Sequence, residues 1–322
     1  DRLEISINGE SYSTPLSDLP RIQIWGGQAE DQLILDCSDG SPVPAGNVSF
    51  DGGQGSNVLT FISTSSHDTL AVGSSQIHLG SSIVAYVNAA VSLDAANEEV
   101  VNLASLSLEE MAKVSLARGG REVLKLSQLT IGRDATLDLA DNALIVSAAP
   151  EARQQALAAL SVAIQSARAA GDWSGSGLSS STAKANKQTG LSILLNDRAG
   201  QAILTSFAGQ PVTENDILVK HTWNGDVTLD GKVDGDDYFL VDSGFIGQLR
   251  EYRNGDLNFD GVVDGDDYFL IDSAFIMQSG TLAAEEVPAA TEASAMLKVA
   301  MAPRPQPTPS VLAQLFRANP VL

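Results

Sequence analysis

Residues 224–240 read NGDVTLDGKVDGDDYFL and residues 254–270 read NGDLNFDGVVDGDDYFL, and this duplication decides the C-terminal part of the fold. Each copy places oxygen-bearing side chains at positions 1, 3, 5, 9 and 12 of a twelve-residue loop, with glycine at position 6. A short loop with this spacing can wrap around a hard cation that takes six to eight oxygen ligands, and it is the spacing of an EF-hand calcium loop. Two copies in the same register predict two calcium sites.

The residues that flank the loops predict one helix after each loop and no helix before the first. The apolar side chains at helical spacing are Tyr238, Val241 and Phe245 after the first loop, and Tyr268, Ile271 and Phe275 after the second. Residues 221–223, directly before the first loop, are typical of the end of a strand. Val233 and Val263, at loop position 8, are placed to pair as a short strand or as a hydrophobic bridge between the loops.

A duplicated calcium loop followed by one helix, with Asp rather than Glu at position 12, resembles a type I dockerin. Dockerins are paired calcium-binding modules that dock enzymes onto cohesins, and the resemblance covers residues 223–279. It implies two Ca²⁺ ions, with backbone carbonyls serving at position 7. The implied ligands are Asp226, Thr228, Asp230, Lys232, Asp234 and Asp237 for one ion, and Asp256, Asn258, Asp260, Val262, Asp264 and Asp267 for the other.

Two departures from the dockerin pattern refine these expectations. Thr228 stands where Asn or Asp is usual, so we expect the first loop to bind calcium less tightly than the second. Loop positions 10 and 11 are Gly235–Asp236 and Gly265–Asp266, where dockerins usually carry small hydroxyl residues that contact the cohesin. The resemblance therefore supports calcium binding more strongly than it supports a cohesin partner.

The chain is strongly acidic, and about half of the imbalance is local. Its 40 Asp and Glu residues against 19 Lys and Arg give a formal net charge of −21. This excess predicts no nucleic-acid partner, because phosphate binding needs clustered cations. Residues 224–278 hold thirteen acidic and three basic side chains, a balance of −10, which needs solvation or a counter-ion. No run of 18 apolar residues occurs, so no membrane span is predicted.

Residues 1–148 predict a body built from many short strands. Apolar and polar residues alternate over short runs that are bounded by Gly, Asn, Asp and Ser. The predicted strands are 22–24, 33–35, 58–61, 69–72, 76–79, 91–93, 100–103, 113–116, 124–126, 129–131, 136–139 and 144–146. Because aromatic residues make up only 5% of the chain, the pattern favours a mostly β fold with a stacked parallel β-helix or solenoid over a β-sandwich.

Further resemblances in the body imply export from a bacterial cell. Residues 26–33 and 51–59 resemble glycine-rich nonapeptide calcium repeats, the alternative being glycines that only form turns. Residues 135–146 look like the last β-helix rungs of large secreted planctomycete-type bacterial proteins, in which a dockerin-like pair commonly follows. Both imply a secreted or cell-surface protein. The chain begins at Asp1 rather than Met, so we expect a processed form or a fragment.

Residues 149–222 and 280–322 predict a connecting region and a tail. Pro150 in a first turn and an apolar stripe predict a helix over 150–170 that lies against the body. The stripe is Ala152, Ala156, Leu157, Leu160, Ile164 and Ala167. We predict a loop at 174–181 and strands at 191–195 and 217–219. The Ala/Pro-rich tail predicts an extended run, whose segments 296–301 and 311–316 can contact another subunit or pack within the chain.

The sequence offers no catalytic constellation. His67, His78 and His221 lie outside any triad-like or metal-like local pattern, and Cys37 is the single cysteine. We therefore predict a non-enzymatic, extracellular, structural calcium-binding protein. It would assemble with identical subunits, through its calcium module and tail, into a cell-surface, matrix or filament structure. The alternative is a non-catalytic C-terminal part of a larger secreted carbohydrate-active enzyme, tethered to a cohesin-like domain.

Overall fold

The protein is mostly β, with parallel sheets and few helices. The computed structural model describes residues 2–7, 10–15, 18–37, 42–44, 47–62, 69–73, 75–79, 82–87, 89–95 and 100–282. The predictions for segments 296–301 and 311–316 and for His67 lie outside the described residues. No helix in the described ranges is both long enough and apolar enough to cross a membrane.

The described residues form 22 strands and four α-helices. The strands are β1 (Arg2–Ile7), β2 (Glu10–Pro15), β3 (Ile22–Trp25), β4 (Gln32–Asp36), β5 (Val48–Asp51), β6 (Val58–Ile62), β7 (Thr69–Val72), β8 (Gln76–Leu79), β9 (Ser82–Val87), β10 (Ala90–Asp94), β11 (Val100–Leu108), β12 (Lys113–Leu116), β13 (Val123–Ile131), β14 (Thr136–Asp138), β15 (Ala143–Ser147), β16 (Gly177–Ser179), β17 (Thr189–Leu195), β18 (Asp197–Arg198), β19 (Gln201–Ala202), β20 (Ser206–Phe207), β21 (Gln210–Pro211) and β22 (Asp216–Trp223). The helices are α1 (Arg153–Arg168), α2 (Ser181–Ala185), α3 (Gly235–Gly247) and α4 (Gly265–Met277).

Most of these strands belong to two large sheets, between which the chain alternates. One sheet has the order β16-β14-β12-β10-β6-β4, and all of its neighbouring pairs are parallel. The other has the order β17-β22-β15-β13-β11-β7-β8-β9-β5-β3. From β10 to β15, successive strands fall alternately in the first and the second sheet, so each circuit of the chain adds one strand to each sheet.

Aliphatic side chains stack in register along the all-parallel sheet. Val91 pairs with Leu59 on one side and with Val114 on the other, and Val114 pairs with Leu137. The four side chains are between 0% and 3% exposed. Since burying one aliphatic side chain contributes about 1.5–3 kcal/mol, short stacked strands stabilise this body without a large aromatic core.

The second sheet changes direction at two places. Strand β8 pairs antiparallel with both β7 and β9, which joins two separate parallel stacks. At the other end, β22 lies antiparallel between β15 and β17. The parallel stacking therefore stops at β15, and β17 forms the edge of the sheet. The strand predicted at 217–219 is confirmed but is longer, and it leads directly into the first loop.

Helix α1 lies against the strands as predicted, with Leu157, Leu160 and Ile164 buried. It begins at Arg153, so Pro150 lies before the first turn rather than in it. The loop predicted at 174–181 is wrong, because Gly177–Ser179 forms β16 and pairs parallel with β14. Gly177 has φ 126°, and a Cβ at this position would overlap the Ala163 carbonyl oxygen of α1. A glycine-containing segment therefore forms the strand on which the helix rests.

The two duplicated loops have matching backbones. Leu229 and Phe259, at loop position 4, have left-handed φ values of 64° and 63°, and Gly231 and Gly261 have φ 90° and 89°. Of the two arrangements predicted for loop position 8, strand pairing of Val233 with Val263 is absent among the described residues, and both side chains are buried in one apolar cluster. The Val233 N–H donates to Gln278 Oε1 (2.9 Å), and the Gln278 Nε2 group donates to the Val233 carbonyl (2.8 Å). A side chain after α4 thus takes the hydrogen bonds that a strand partner would have made.

The helices predicted after the loops are confirmed, although their apolar stripe is only partly buried. Val241 is fully buried, whereas Phe245 is 53% exposed. Phe245 packs edge-on against Tyr268, with ring centroids 6.1 Å apart, and Phe275 packs in the same way against Tyr238 at 5.9 Å. The aromatic residues therefore join α3 to α4 at the surface, and the aliphatic residues enter the core.

Candidate metal centre

The first loop, between β22 and α3, brings three carboxylates together. One oxygen each from Asp226, Asp230 and Asp237 lies within 4.8 Å of the others. Asp226 and Asp237 are fully buried, and Asp230 is exposed. Two oxygens bound to one calcium ion at about 2.4 Å are at most about 4.8 Å apart, so this donor set fits a single calcium ion.

Asp237 ties the start of the first loop to its end. Its Oδ1 accepts hydrogen bonds from the N–H groups of Val227 (2.9 Å) and Thr228 (3.0 Å). Its Oδ2 accepts one from the Asp234 N–H (3.0 Å), which forms a capping box at the start of α3. The position-12 carboxylate therefore sits inside the loop, facing the position-1 carboxylate.

Asp226 is fixed by hydrogen bonds from its own loop and from the strand that precedes the loop. Its oxygens accept hydrogen bonds from the N–H groups of Asp230 (3.1 Å) and Gly231 (2.9 Å) and from the Thr222 hydroxyl at the end of β22. Burial, with a smaller contribution from the nearby Asp237 carboxylate, raises the pKa of Asp226 to about 6 despite the lowering effect of the hydrogen bonds. Burial also raises the pKa of Asp237. Two buried carboxylates of this kind are stabilised by a bound cation.

The structure does not bring Asp234 into this group. The Lys232 ammonium group contacts the Asp234 carboxylate and lies 3.6 Å from Asp230 Oδ2, and Asp234 Oδ1 caps α3 by accepting from the Asp236 N–H (3.0 Å). Its hydrogen bond with Lys232 holds the pKa of Asp234 below the ordinary value. Thr228 lies near the site, with its hydroxyl 3.5 Å from Asp226 Oδ1. The carbonyl ligand at Lys232 stays a prediction.

The second loop repeats the buried pair. Asp256 is 4% exposed and Asp267 is fully buried. Asp267 accepts hydrogen bonds from the N–H groups of Leu257 (2.7 Å), Asn258 (3.1 Å) and Asp264 (2.9 Å), matching the bonds of its counterpart in the first loop. Burial raises the pKa of Asp256 to about 6 and also raises the pKa of Asp267.

An unpaired oxygen in the second loop also fits a cation. Asp256 Oδ2 accepts from the Gly261 N–H (3.0 Å), while Asp256 Oδ1 is buried without a hydrogen-bond partner. A buried acceptor without a donor costs about 1–3 kcal/mol, and coordination to a metal ion would satisfy it.

Two of the remaining predicted ligands of the second loop, Asn258 and Asp260, hydrogen-bond to each other. The Asn258 side chain donates to Asp260 Oδ2 (2.9 Å), and its own oxygen accepts from the Asp260 N–H (2.7 Å). Asp260 and Asp264 are exposed, and the Val262 N–H donates to Asp260 Oδ1 (2.9 Å). Within the described part of the chain, three carboxylates meet this closely only in the first loop. The order of calcium affinities stays a prediction.

Two basic residues beside the loops were missed by the sequence reasoning. Lys220 of β22 lies within electrostatic range of Asp226 and Asp230, and Arg168 at the end of α1 lies within that of Tyr252, Asp267 and Asp256. Burial lowers the pKa of both basic groups. No local pattern indicates Arg168, because it lies about ninety residues before the loop whose carboxylates act on it.

The second loop faces an open groove of about 410 Å³ between α1, the edge strand β17 and the connector between the loops. Asp256 and Asp260 are among its lining residues, as is Tyr252. The Tyr252 ring stacks on Phe259 with centroids 5.1 Å apart, and its hydroxyl is 2.9 Å from the Ser192 hydroxyl of β17. This contact attaches the duplicated-loop module (residues 223–279) to the sheet.

The glycine-rich turns of the body use their acidic groups to hold the backbone. The Gly27 N–H donates to Asp31 Oδ2 (2.6 Å), and the Asp31 N–H donates to Asn57 Oδ1 (2.9 Å) of the next turn. The Gly53 N–H donates in the same way to Asp51 Oδ1 (2.9 Å). These contacts favour glycines that form stacked turns over a further calcium site.

Outside the loops, one acidic pair is unusual. Glu122 follows β12, and its Oε1 accepts from the Ala95 N–H (3.4 Å), while Oε2 is buried without a hydrogen-bond partner. Burial, with the neighbouring Asp94 carboxylate, raises the pKa of Glu122 to about 7.

The buried His221 ring is 2.9 Å from the Thr189 hydroxyl, and burial lowers its pKa to about 4. His221 is therefore neutral at pH 7 and holds strands together.

Comparisons with protein-family models, with curated proteins and with solved structures find no match to this chain.

Proposed function

We propose that this chain is an extracellular structural protein whose duplicated loops bind two calcium ions. The observation that carries the proposal is the convergence of Asp226, Asp230 and Asp237 within 4.8 Å in the first loop. Two of these carboxylates are fully buried, and the second loop buries the equivalent pair. Oxygen ligands favour hard cations, and calcium is the hard cation that loops with this spacing bind.

The body is proposed to be a parallel β-helix. Support comes from strands that alternate between two sheets, and from the step of 23 residues that separates Val91, Val114 and Leu137 in register. Such a body presents stacked turns. Its role is then mechanical, as a rigid element that places the calcium module at one end.

Calcium is proposed to lock the module onto that end. The module contacts the body through the hydroxyl groups of Tyr252 and Ser192, and the basic residues Lys220 and Arg168 lie within electrostatic range of the two loops. A ligand that binds only the folded state at one hundred times its Kd adds about 2.7 kcal/mol of stability per site. Metal binding and folding of residues 224–278 then form one equilibrium.

A second candidate function is a docking module that tethers a larger secreted carbohydrate-active enzyme to a cohesin-like domain. The exposed apolar side chains of α3 and α4, among them Phe239 at 69% and Phe269 at 70%, favour it. The two candidates differ in the partner, which is an identical subunit in the first and a cohesin-like domain in the second.

The test is the effect of calcium removal on stability and particle size. We expect a chelator to unfold residues 224–278, to lower the melting temperature and to disperse assemblies seen by electron microscopy or light scattering. Excess magnesium at matched ionic strength is the control. Unchanged melting and unchanged particle size in excess chelator would rule the proposal out.

A further inference from the structure

Helices α3 and α4 expose two matching apolar rows. Phe239 and Ile246 of α3 are 69% and 82% exposed, and Phe269 and Ile276 of α4 are 70% and 77% exposed. The members of each row are seven residues apart, or about two helical turns, so they share one side of their helix. We call these four residues the helix face.

Both rows lie on the same outer surface of the module. Each helix buries Val241 or Ile271 in the core, and the tyrosine–phenylalanine pairs join the two helices side by side. The rows therefore point away from the core next to one another. Contiguous exposed apolar surface of this kind marks a site of contact.

Acidic side chains border the helix face. Asp236 and Asp242 each lie three residues from Phe239 on α3, one on either side of its row, and Asp266 and Asp272 repeat this arrangement on α4. All four are exposed, and neither helix contains Lys or Arg. Two copies of this face brought together would oppose eight carboxylates, which is costly. The negative charges that border the helix face therefore favour a partner segment that is apolar and carries positive charge.

This chain contains such a segment. Residues 293–322 include Lys298, Arg304 and Arg317 and no acidic residue, in a chain whose formal net charge is −21. Their apolar side chains cluster at 296–301 and at 311–316, and the basic residues Lys298 and Arg317 lie within or next to these two clusters. Two apolar clusters with adjacent positive charge complement two apolar rows with adjacent negative charge.

The segment begins close to the face that it complements. The Leu282 N–H donates to the Gly231 carbonyl in the first loop (2.6 Å), which places the start of the tail beside the N-terminus of α3. The ten residues 283–292 can span up to roughly 33 Å, whereas a thirteen-residue helix is about 20 Å long. A segment tethered this closely has an effective concentration on the order of millimolar, which favours the face of its own chain.

We propose that residues 293–322 fold back and cover the helix face of the same chain. The tail is then an internal ligand of the module, and any partner of α3 and α4 has to displace it. Lys298, Arg304 and Arg317 orient the segment against the aspartates that border the face.

Cysteine cross-linking in the full-length chain tests this directly. In a Cys37→Ser background with saturating calcium, Ile276→Cys is combined with Leu312→Cys and treated with a short bismaleimide. The control combines Leu312→Cys with Val162→Cys, which is equally apolar and 63% exposed on α1. We expect the 276–312 pair to cross-link within the monomer about tenfold faster than the control pair, at a rate independent of protein concentration.

A charge variant gives the second measurement. Lys298→Glu, Arg304→Glu and Arg317→Glu together leave the helices untouched, and they are expected to reduce the 276–312 cross-linking rate to that of the control. Equal rates for the two pairs in the parent chain would overturn the proposal. Cross-links found only in dimers would also overturn it, because the face would then be covered by another copy. A charge variant that cross-links at the parent rate would exclude the proposed role of the basic residues.

Discussion

The Tyr238 hydroxyl donates a hydrogen bond to Asp272 Oδ1 at 2.6 Å, joining α3 to α4. Thirty residues further along, the Tyr268 hydroxyl donates to Asp242 Oδ1 at 2.5 Å in the opposite sense. The sequence repeat is therefore expressed as an exchange of equivalent contacts between the two halves of the module. In each half of the module, the tyrosine hydroxyl hydrogen-bonds to a carboxylate of the other half. The position of each helix therefore depends on the other helix.

Removing either hydroxyl should weaken the module by a similar amount. We expect Tyr238→Phe and Tyr268→Phe each to lower the free energy of unfolding by about 1 kcal/mol, because each loses one hydrogen bond to a charged acceptor near the surface. Urea denaturation in saturating calcium measures the change. A double-mutant cycle of Tyr238→Phe with Asp272→Asn isolates the pair, and zero coupling in that cycle would contradict the assignment.

Tyr252 should couple the module to the body. Its ring is 5% exposed and stacks on Phe259, so Tyr252→Ala is expected to lower the free energy of unfolding by about 3–5 kcal/mol. Calorimetry should then show the module melting separately from the body. Tyr252→Phe keeps the ring and is the control, with an expected loss of about 1 kcal/mol for the bond to Ser192. A single unchanged transition in Tyr252→Ala would show that the two parts are not coupled there.

The repeat is asymmetric at one position. A Cβ on Gly244 would overlap the Asn254 carbonyl oxygen, whereas the equivalent residue of α4 is Ala274. Alanine in place of glycine usually stabilises a helix. At position 244 we expect the opposite, a destabilisation of the module by more than about 1 kcal/mol, because the added methyl group displaces the backbone. Ala274→Gly should cost about 1 kcal/mol through helix propensity, in addition to the loss of a fully buried methyl group. Urea denaturation distinguishes the two, and a stabilising Gly244→Ala would contradict the close contact.

Glu122 should make the stability of the body depend on pH. Its pKa in the folded protein is about 7, above the ordinary value of 4.5, so the folded state binds more protons between these pH values. Stability is then lost as the pH rises from about 4.5 to about 7. We expect Glu122→Gln to stabilise the protein by about 1–3 kcal/mol above pH 7, with the gain vanishing below about pH 4.5. Thermal denaturation across pH tests this, with the exposed Glu151→Gln as control, and a gain that is constant with pH would contradict it.

Local patterns in the sequence predicted the regular strands and the loops. Alternation of apolar and polar residues placed β12 at Lys113–Leu116 and β8 at Gln76–Leu79 with the bounds that the structure has. The loop spacing placed Asp226 and Asp237 opposite one another. In these cases the information lies within a few residues, because one strand face or one loop determines the result.

Contacts between distant segments were not predictable in this way. Strand β16 contains Gly177 and Ser179 and has little strand propensity, yet it forms because β14 offers it a parallel partner. Arg168 comes within electrostatic range of the second loop only when the body and the module come together. The bonds of Val233 to Gln278 replace the expected strand for the same reason.

The most direct test of the calcium assignment is the number of ions bound per chain, measured by isothermal titration of chelator-stripped protein. We predict two for the parent chain, one each for Asp226→Ala and Asp256→Ala, and none for the double variant, since each substitution removes the buried carboxylate that is predicted as the first ligand of one loop. Asp134→Asn removes a charge from an exposed side chain outside the loops and should leave two. Failure of the parent chain to bind calcium, or unchanged binding in the double variant, would contradict the account.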